Sequence, residues 1–403
     1  MKKNPLALVV VAALGYFVDI FDLALFGIVR VQSLQDLGLS SPEILSEGVR
    51  LLNSQMLGLL IGGLFWGVLG DKWGRLRVLF GSILLYSLAN LANAFVQTPT
   101  QYAWLRFFAG IGLAGELGAA ITLVSETLPT EKRGYGTALV AGFGLSGAVA
   151  AGLTAEWLTW RHTYLLGGFL GLLLLFLRFR VSESELYSQV KFEKSIKRGS
   201  LLQLFFPLRR SLRYLSCVFI AVPIWYCAGI LMTFAPEIGE ALGAQAPLSA
   251  GRAILFSYVG VALGDVASGI LSQILKSRKK VVGFAIALEA LLVIFILSRD
   301  HPTTHQFYFL AFLIGLATGY WAVFITLTSE HFGTNLRATA TTSAPNLVRA
   351  SVVPMTLALT WLKPQIGLLP SVILVGLVVF SLALVALIFL EETHSKDLNY
   401  LET

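Results

Sequence analysis

What most constrains this chain is a recurrence. Apolar runs of about twenty residues, each long enough to cross a bilayer as a helix, return twelve times. They fall at roughly 6–30, 50–70, 78–97, 102–125, 135–157, 161–179, 212–237, 249–274, 281–298, 306–329, 338–362 and 368–390. Backbone groups in hydrocarbon must pair within their own segment, so each run reads as a helix. The chain is 56% hydrophobic and 13% charged, about half the charge of a soluble domain. This is an all-α integral membrane protein, and no stretch suggests a soluble domain. Met1-Lys2-Lys3 followed by an apolar run imitates a secretion signal. The run is too long, holds Asp19 and Asp22, and ends without a small-residue cleavage site, so it reads as a retained first helix.

The net charge of +7 is distributed as membrane topology requires, not as a nucleic-acid surface. With the N-terminus inside, 22 of the 30 Lys and Arg residues fall in cytoplasmic segments. That bias puts both termini in the cytoplasm of a multi-pass protein of the cell (plasma or inner) membrane. Cys217 and Cys227 share one apolar run and read as small buried residues. No metal site and no cofactor is expected.

One long basic loop divides the runs six and six. The expected organisation is a six-helix bundle at 1–179, a cytoplasmic linker at 180–211 and a second bundle at 212–403. The linker is partly amphipathic (Leu201, Leu202, Leu204, Phe205, Phe206) and is expected on the membrane surface. The halves repeat. Ile121-Thr-Leu-Val-Ser-Glu126 returns as Ile325-Thr-Leu-Thr-Ser-Glu330, displaced by 204 residues, and Arg133 and Arg337 each stand seven residues beyond the Glu. Parallel duplication of a six-helix unit is a transporter architecture, with the substrate site between the halves near mid-membrane.

The first run contains what a membrane helix should not. Asp19 and Asp22, at i and i+3, share a face. A carboxylate at that depth costs roughly 2.5–3.5 kcal/mol on insertion scales, so such a residue is a functional-site candidate. Arg349 is the matching oddity in the second half. It lies about 11 residues, roughly 17 Å, into its run and has no acid at i±3 or i±4; Asn346 is the nearest polar residue. An unpaired guanidinium there suits an anion, held by two parallel hydrogen bonds. Asp265, Glu289 and Glu116 are further intramembrane acids. Trp225-Tyr226 and Tyr320-Trp321 are aromatic pairs, of which one member each is expected to face substrate.

After the second run the chain reads Gly67-Val-Leu-Gly-Asp71-Lys72-Trp-Gly74-Arg75-Leu-Arg77, which resembles the signature loop of the major facilitator superfamily. The fourth run resembles that superfamily's sugar-porter and metabolite:proton-symporter branches, in Arg106 to Gly118 and Ser125 to Gly134. So do Trp160-Arg161, Glu183-Ser184 and the tail from Glu392, while Asp19-Ile-Phe-Asp22 before Gly27 resembles the metabolite:proton symporters. The Gly-Pro pair of proton antiporters is missing from the fifth run. The resemblance implies twelve transmembrane helices in two pseudo-symmetric halves, with helices 1, 4, 7 and 10 lining a central cavity. It implies that Asp22 faces Arg106 and carries the proton, with Asp19 beside it. Arg349, Glu116, Trp225, Tyr226, Tyr320, Trp321 and Asn346 become substrate-site candidates. Gly67, Asp71, Gly74 and Arg75, with Glu126, Arg133, Glu330 and Arg337, become a cytoplasmic gate. The expected function is secondary active transport of a small organic anion or zwitterion by alternating access, as proton symport. The partners are that substrate, protons and lipid, in a monomer that is not an enzyme. A uniporter or exchanger for a sugar or organic ion, or a non-transporting sensor, is the alternative.

Overall fold

A computed structural model describes residues 5–73, 75–116, 130–178, 201–394 and 402. Its helices trace the twelve expected rods. The first six are α1 (Pro5–Asp36), α2 (Ser41–Trp73), α3 (Arg75–Asn93), α4 (Pro99–Leu113), α5 (Thr130–Trp157) and α6 (Trp160–Arg178). Three rods of the second half are broken. α7 runs as Leu208–Phe219, Val222–Tyr226, a π-helical turn Cys227–Met232 and Ala235–Ala241. α10 is Thr304–Thr318 then Trp321–His331, and α11 is Thr334–Ala350 then Val352–Ile366. The unbroken rods are α8 (Ala250–Ile274), α9 (Arg278–Leu297) and α12 (Leu368–Phe389). Several ends differ from the apolar runs because polar turns continue the helix past the hydrocarbon. α1 extends to Asp36, and α2 already begins at Ser41.

Free amides at the rod starts are capped by side chains. Ser249 accepts from the Arg252 amide on α8, and Ser277 from the Lys280 amide on α9. Thr303 and Gln306 form a reciprocal capping box on α10. Glycine sets how closely the rods pack. A Cβ on Gly58 or Gly62 of α2 would strike the α4 backbone at Phe107 or Ile111, and one on Gly110 would strike Gln55. The same interlock recurs between α8 and α10, where Gly260 meets Phe312 and Gly315 meets Ser257. With no hydrophobic drive between helices in lipid, such close backbone approach is what holds the rods together.

α1 begins and α12 ends at one face of the bundle, here the terminal face; the other is the opposite face. Contacts between α1–α6 and α7–α12 run mainly along α2 with α11 and α5 with α8, a pair of seams related by the internal repeat. Toward the opposite face the α5–α8 and α2–α11 seams are closed by Arg252 with Glu156 and Thr356 with Asn53, and α1 is tied to α7 by Arg30 with Glu237. The expected linker falls largely outside the described residues. Its end forms one turn, Leu201–Leu204, which buries Leu204 and leaves Phe206 exposed.

Candidate functional site

Between the halves lies a cavity of about 480 Å³, counted out to its open side. α1 contributes Tyr16, Ile20 and Leu23, whose spacing puts them on one helix face. α5 gives Leu145, α7 Ile224, Trp225 and Ala228, and α8 Ser257, Tyr258 and Val261. Thr318 and Trp321 come from α10 and Arg349 from α11. Helices 1, 7 and 10 are there as expected. α4 contributes no lining residue among those described, and its place is taken by α5, α8 and α11.

All three broken rods break beside this cavity. Thr318 and Trp321 flank the gap in α10, Arg349 stands two residues before the bend at Ser351, and Trp225 and Ala228 bracket the start of the π turn. The groups freed by the breaks find partners. Asp265 on α8 accepts from the Ala322 amide at 2.8 Å and so caps the second segment of α10. The Tyr320 hydroxyl donates to the Ile220 carbonyl at 2.9 Å, next to the first gap in α7. Tyr226 donates to the Val372 carbonyl at 2.8 Å. In each aromatic pair, therefore, the Trp faces the cavity and the Tyr supports the frame. Irregular backbone at membrane depth is tolerated where it is buried or lines such a cavity.

Arg349 is 1% exposed, its Nε has no hydrogen-bond partner, and its guanidinium lies 5.9 Å from the Trp321 ring centre. Asn346, one turn earlier, instead donates toward the Ala114 and Thr342 carbonyls at the α2–α11 seam. Asp19 is fully buried, and neither carboxylate oxygen has a hydrogen-bond partner. Arg349 is the charge it feels most, ahead of Glu116 and Arg178.

Asp22 is also fully buried with both oxygens unpartnered, and its dominant charged neighbour is Arg106. The two form no direct ion pair here. Arg106 donates to Asn90 Oδ1 at 3.1 Å and reaches only the Asp22 backbone carbonyl, at 3.5 Å. Phe26 and Tyr164 flank its guanidinium. A Cβ on Gly167 of α6 would strike Asp22 Oδ1, so that glycine makes the carboxylate's niche.

Glu116 is held from the neighbouring rod α6. Arg178, at the end of α6, is buried and grips both its oxygens, one at 3.1 Å. Gly15 on α1 leaves room for this pair, since a Cβ there would overlap both groups. Of the expected gate residues, Gly74 and Glu126 lie outside the described residues, as do the surroundings of Gly67 and the side chains of Asp71, Arg75 and Arg133. Glu330 pairs with Arg278 at 3.6 Å and accepts from the Thr393 hydroxyl at 2.6 Å. Arg337 Nε donates to the Ser329 and Phe332 carbonyls, both at 3.1 Å.

Comparison with known proteins follows the same lines. The model of the Major Facilitator Superfamily matches residues 12–348. A gentisate transporter of Corynebacterium glutamicum is 26% identical over 95% of this chain and 88% of its own. A cis,cis-muconate transport protein of Acinetobacter baylyi is 27% identical over 84% and 83%. A Haemophilus influenzae relative assigned to metabolite transport is 33% identical, but the aligned stretch spans 44% of either chain. The crystal structure of a D-xylose-proton symporter superposes with a TM-score of 0.74 at 19% identity, covering 98% of this chain and 100% of that one. At that identity the likeness establishes the fold.

Proposed function

We propose, since this chain belongs to the Major Facilitator Superfamily, that it imports a small organic anion together with protons. Membership makes it a multi-pass membrane protein and a secondary transporter, not an enzyme. The observation that carries the anionic substrate is Arg349. A guanidinium buried among Tyr16, Trp225, Tyr258 and Trp321, with no carboxylate of the described residues hydrogen-bonded to it, is the complement of a flat carboxylate. The relatives named for gentisate and cis,cis-muconate are consistent with such cargo.

The proton enters through Asp19 and Asp22. Each is buried and unbonded, so each is costly as an anion and ready to accept a proton. Asp19 shares the cavity's field with Arg349, so substrate binding at Arg349 weakens the hold on the Asp19 anion and couples the two ligands. On the basic-residue bias the terminal face is the cytoplasmic one, in the cell membrane, and the Arg30–Glu237 side the outer one. The test is uptake of aromatic and unsaturated carboxylates into proteoliposomes under an imposed pH gradient. Arg349→Gln is expected to abolish saturable uptake of the cargo while Asp22→Asn leaves exchange but removes accumulation. Unchanged affinity in Arg349→Gln refutes the anion site, and accumulation surviving in Asp22→Asn refutes the coupling.

A further inference from the structure

Glu289 has no part in the cavity chemistry above, yet it is a fully buried carboxyl in the middle of α9. Its Oε1 lies 3.1 Å from Thr318 Oγ1, and its Oε2 has no hydrogen-bond partner. Thr318 Oγ1 is also 2.7 Å from the Ile314 carbonyl oxygen. A threonine hydroxyl has one hydrogen to give, and a carbonyl can only accept. With the Thr318 hydrogen on the nearer acceptor, a protonated Glu289 is placed to donate to Thr318 Oγ1 in turn.

The surroundings agree. From α7 it is faced by Cys227 and Tyr226, and from α10 by Tyr320. α12 carries no charged or titratable residue. On α8, Asp265 is committed to the Ala322 amide. The basic residues of α9 itself, Arg278, Lys279 and Lys280, are nine or more residues away, about 14 Å along the helix. Among the described residues no cation compensates an anion at Glu289, which at this depth makes the acid form the resting one. Thr318 also lines the cavity, so Glu289 is one hydroxyl removed from it. The neighbouring Cys227 opens the π turn of α7, and such turns mark functional sites more often than chance.

We propose that Glu289 is a second proton-binding site, in the C-terminal half, exchanging with the cavity through Thr318. In the exchange Glu289 passes its proton to Thr318 Oγ1 as Thr318 passes its own to a water in the cavity. One O–H bond breaks and one forms at the threonine, and the carboxylate left behind is reprotonated by the reverse route. This builds on proton-coupled transport as proposed above and adds a second proton to each cycle.

Two measurements test it. Infrared difference spectra of the purified protein should show the carbonyl stretch of a protonated carboxyl that disappears in Glu289→Gln and changes when 4-hydroxybenzoate or gentisate is added. In proteoliposomes, Glu289→Gln should keep exchange. Its limiting accumulation should fall by roughly 50-fold per 100 mV of proton-motive force, the value of one lost proton. A parent band that is absent or blind to pH and to both acids, or a Glu289→Gln protein that accumulates normally, overturns the proposal. If the parent shows no proton-driven accumulation, the transport coupling fails, and the infrared response to pH still decides whether Glu289 exchanges its proton.

Discussion

Glu237→Gln should loosen the opposite face. Arg30 reaches from α1 across to α7 and holds both carboxylate oxygens of Glu237, each at 2.7 Å. It also donates to the Thr233 carbonyl at 3.1 Å and lies 4.6 Å from the Phe234 ring centre. Arg30 is fully buried and Glu237 only 17% exposed, so water screens the pair weakly. When α1 and α7 separate, both groups hydrate, and the pair therefore stabilises only the closed arrangement. A glutamine still offers one oxygen to Arg30, so the change removes one charge-assisted hydrogen bond, about 1.5–3 kcal/mol. That is roughly a ten- to 150-fold shift in the closed-to-open ratio. A parent held at about 99:1 would rise to roughly 10–60% open. Spin labels at Gln35→Cys and Gln245→Cys, both exposed near that face, report the separation, while Cys217 and Cys227 are buried and escape labelling. The variant should gain a longer-distance population in pulsed dipolar spectra. Identical distance distributions in parent and variant would refute the state-specific role of the pair.

Glu116→Gln leaves the Arg178 guanidinium buried without its counter-charge and should cost about 3–5 kcal/mol of stability, most of it regained in Glu116→Gln with Arg178→Met. Thermal unfolding in detergent checks this, and an equal loss in the double variant contradicts it. Gly167→Ala drives a methyl into the Asp22 niche and should destabilise by about 1–3 kcal/mol and shift the pH profile of uptake. Gly142→Ala, with open space around it, should do neither. Glu392 links the α8–α9 turn to the tail. Partial burial alone would raise its pKa, but hydrogen bonds from Ser277 and the amides of His394, Arg278 and Lys279 outweigh that and hold it at about 2, below its ordinary 4.5. Its folded-state value is the lower one, so its contribution is complete above pH 4.5 and is lost as pH falls toward 2. Melting temperatures of Glu392→Gln across that window should show a flatter acid limb than the parent.

The rods were legible because length and hydropathy alone decide whether a segment crosses a bilayer. Arg349, Asp19 and Asp22 were legible because an isolated charge there is expensive wherever it points. Arg178 was not. It ends its run like any basic residue at a membrane rim, and its burial depends on Glu116, just beyond α4, and on the missing side chain of Gly15. The breaks in α7 and α10 were hidden for the same reason, since their stabilising partners, Tyr320 and Asp265, come from other rods. Tyr16 and Tyr258 could have been found. Tyr16 stands three residues before Asp19, and Tyr258 seven before Asp265, each at a spacing that returns to the same helix face.

The glycine interlocks have a bearing on what such a chain can become. α2 against α4 and α8 against α10 are fitted backbone to backbone, by positions where any side chain is an obstruction. The cavity is furnished from other positions, Trp225, Tyr258, Trp321 and Arg349 among them. The frame and its furnishings can thus vary independently. A descendant could trade one cargo for another by exchanging a few aromatic or charged groups, inheriting the moving parts unaltered.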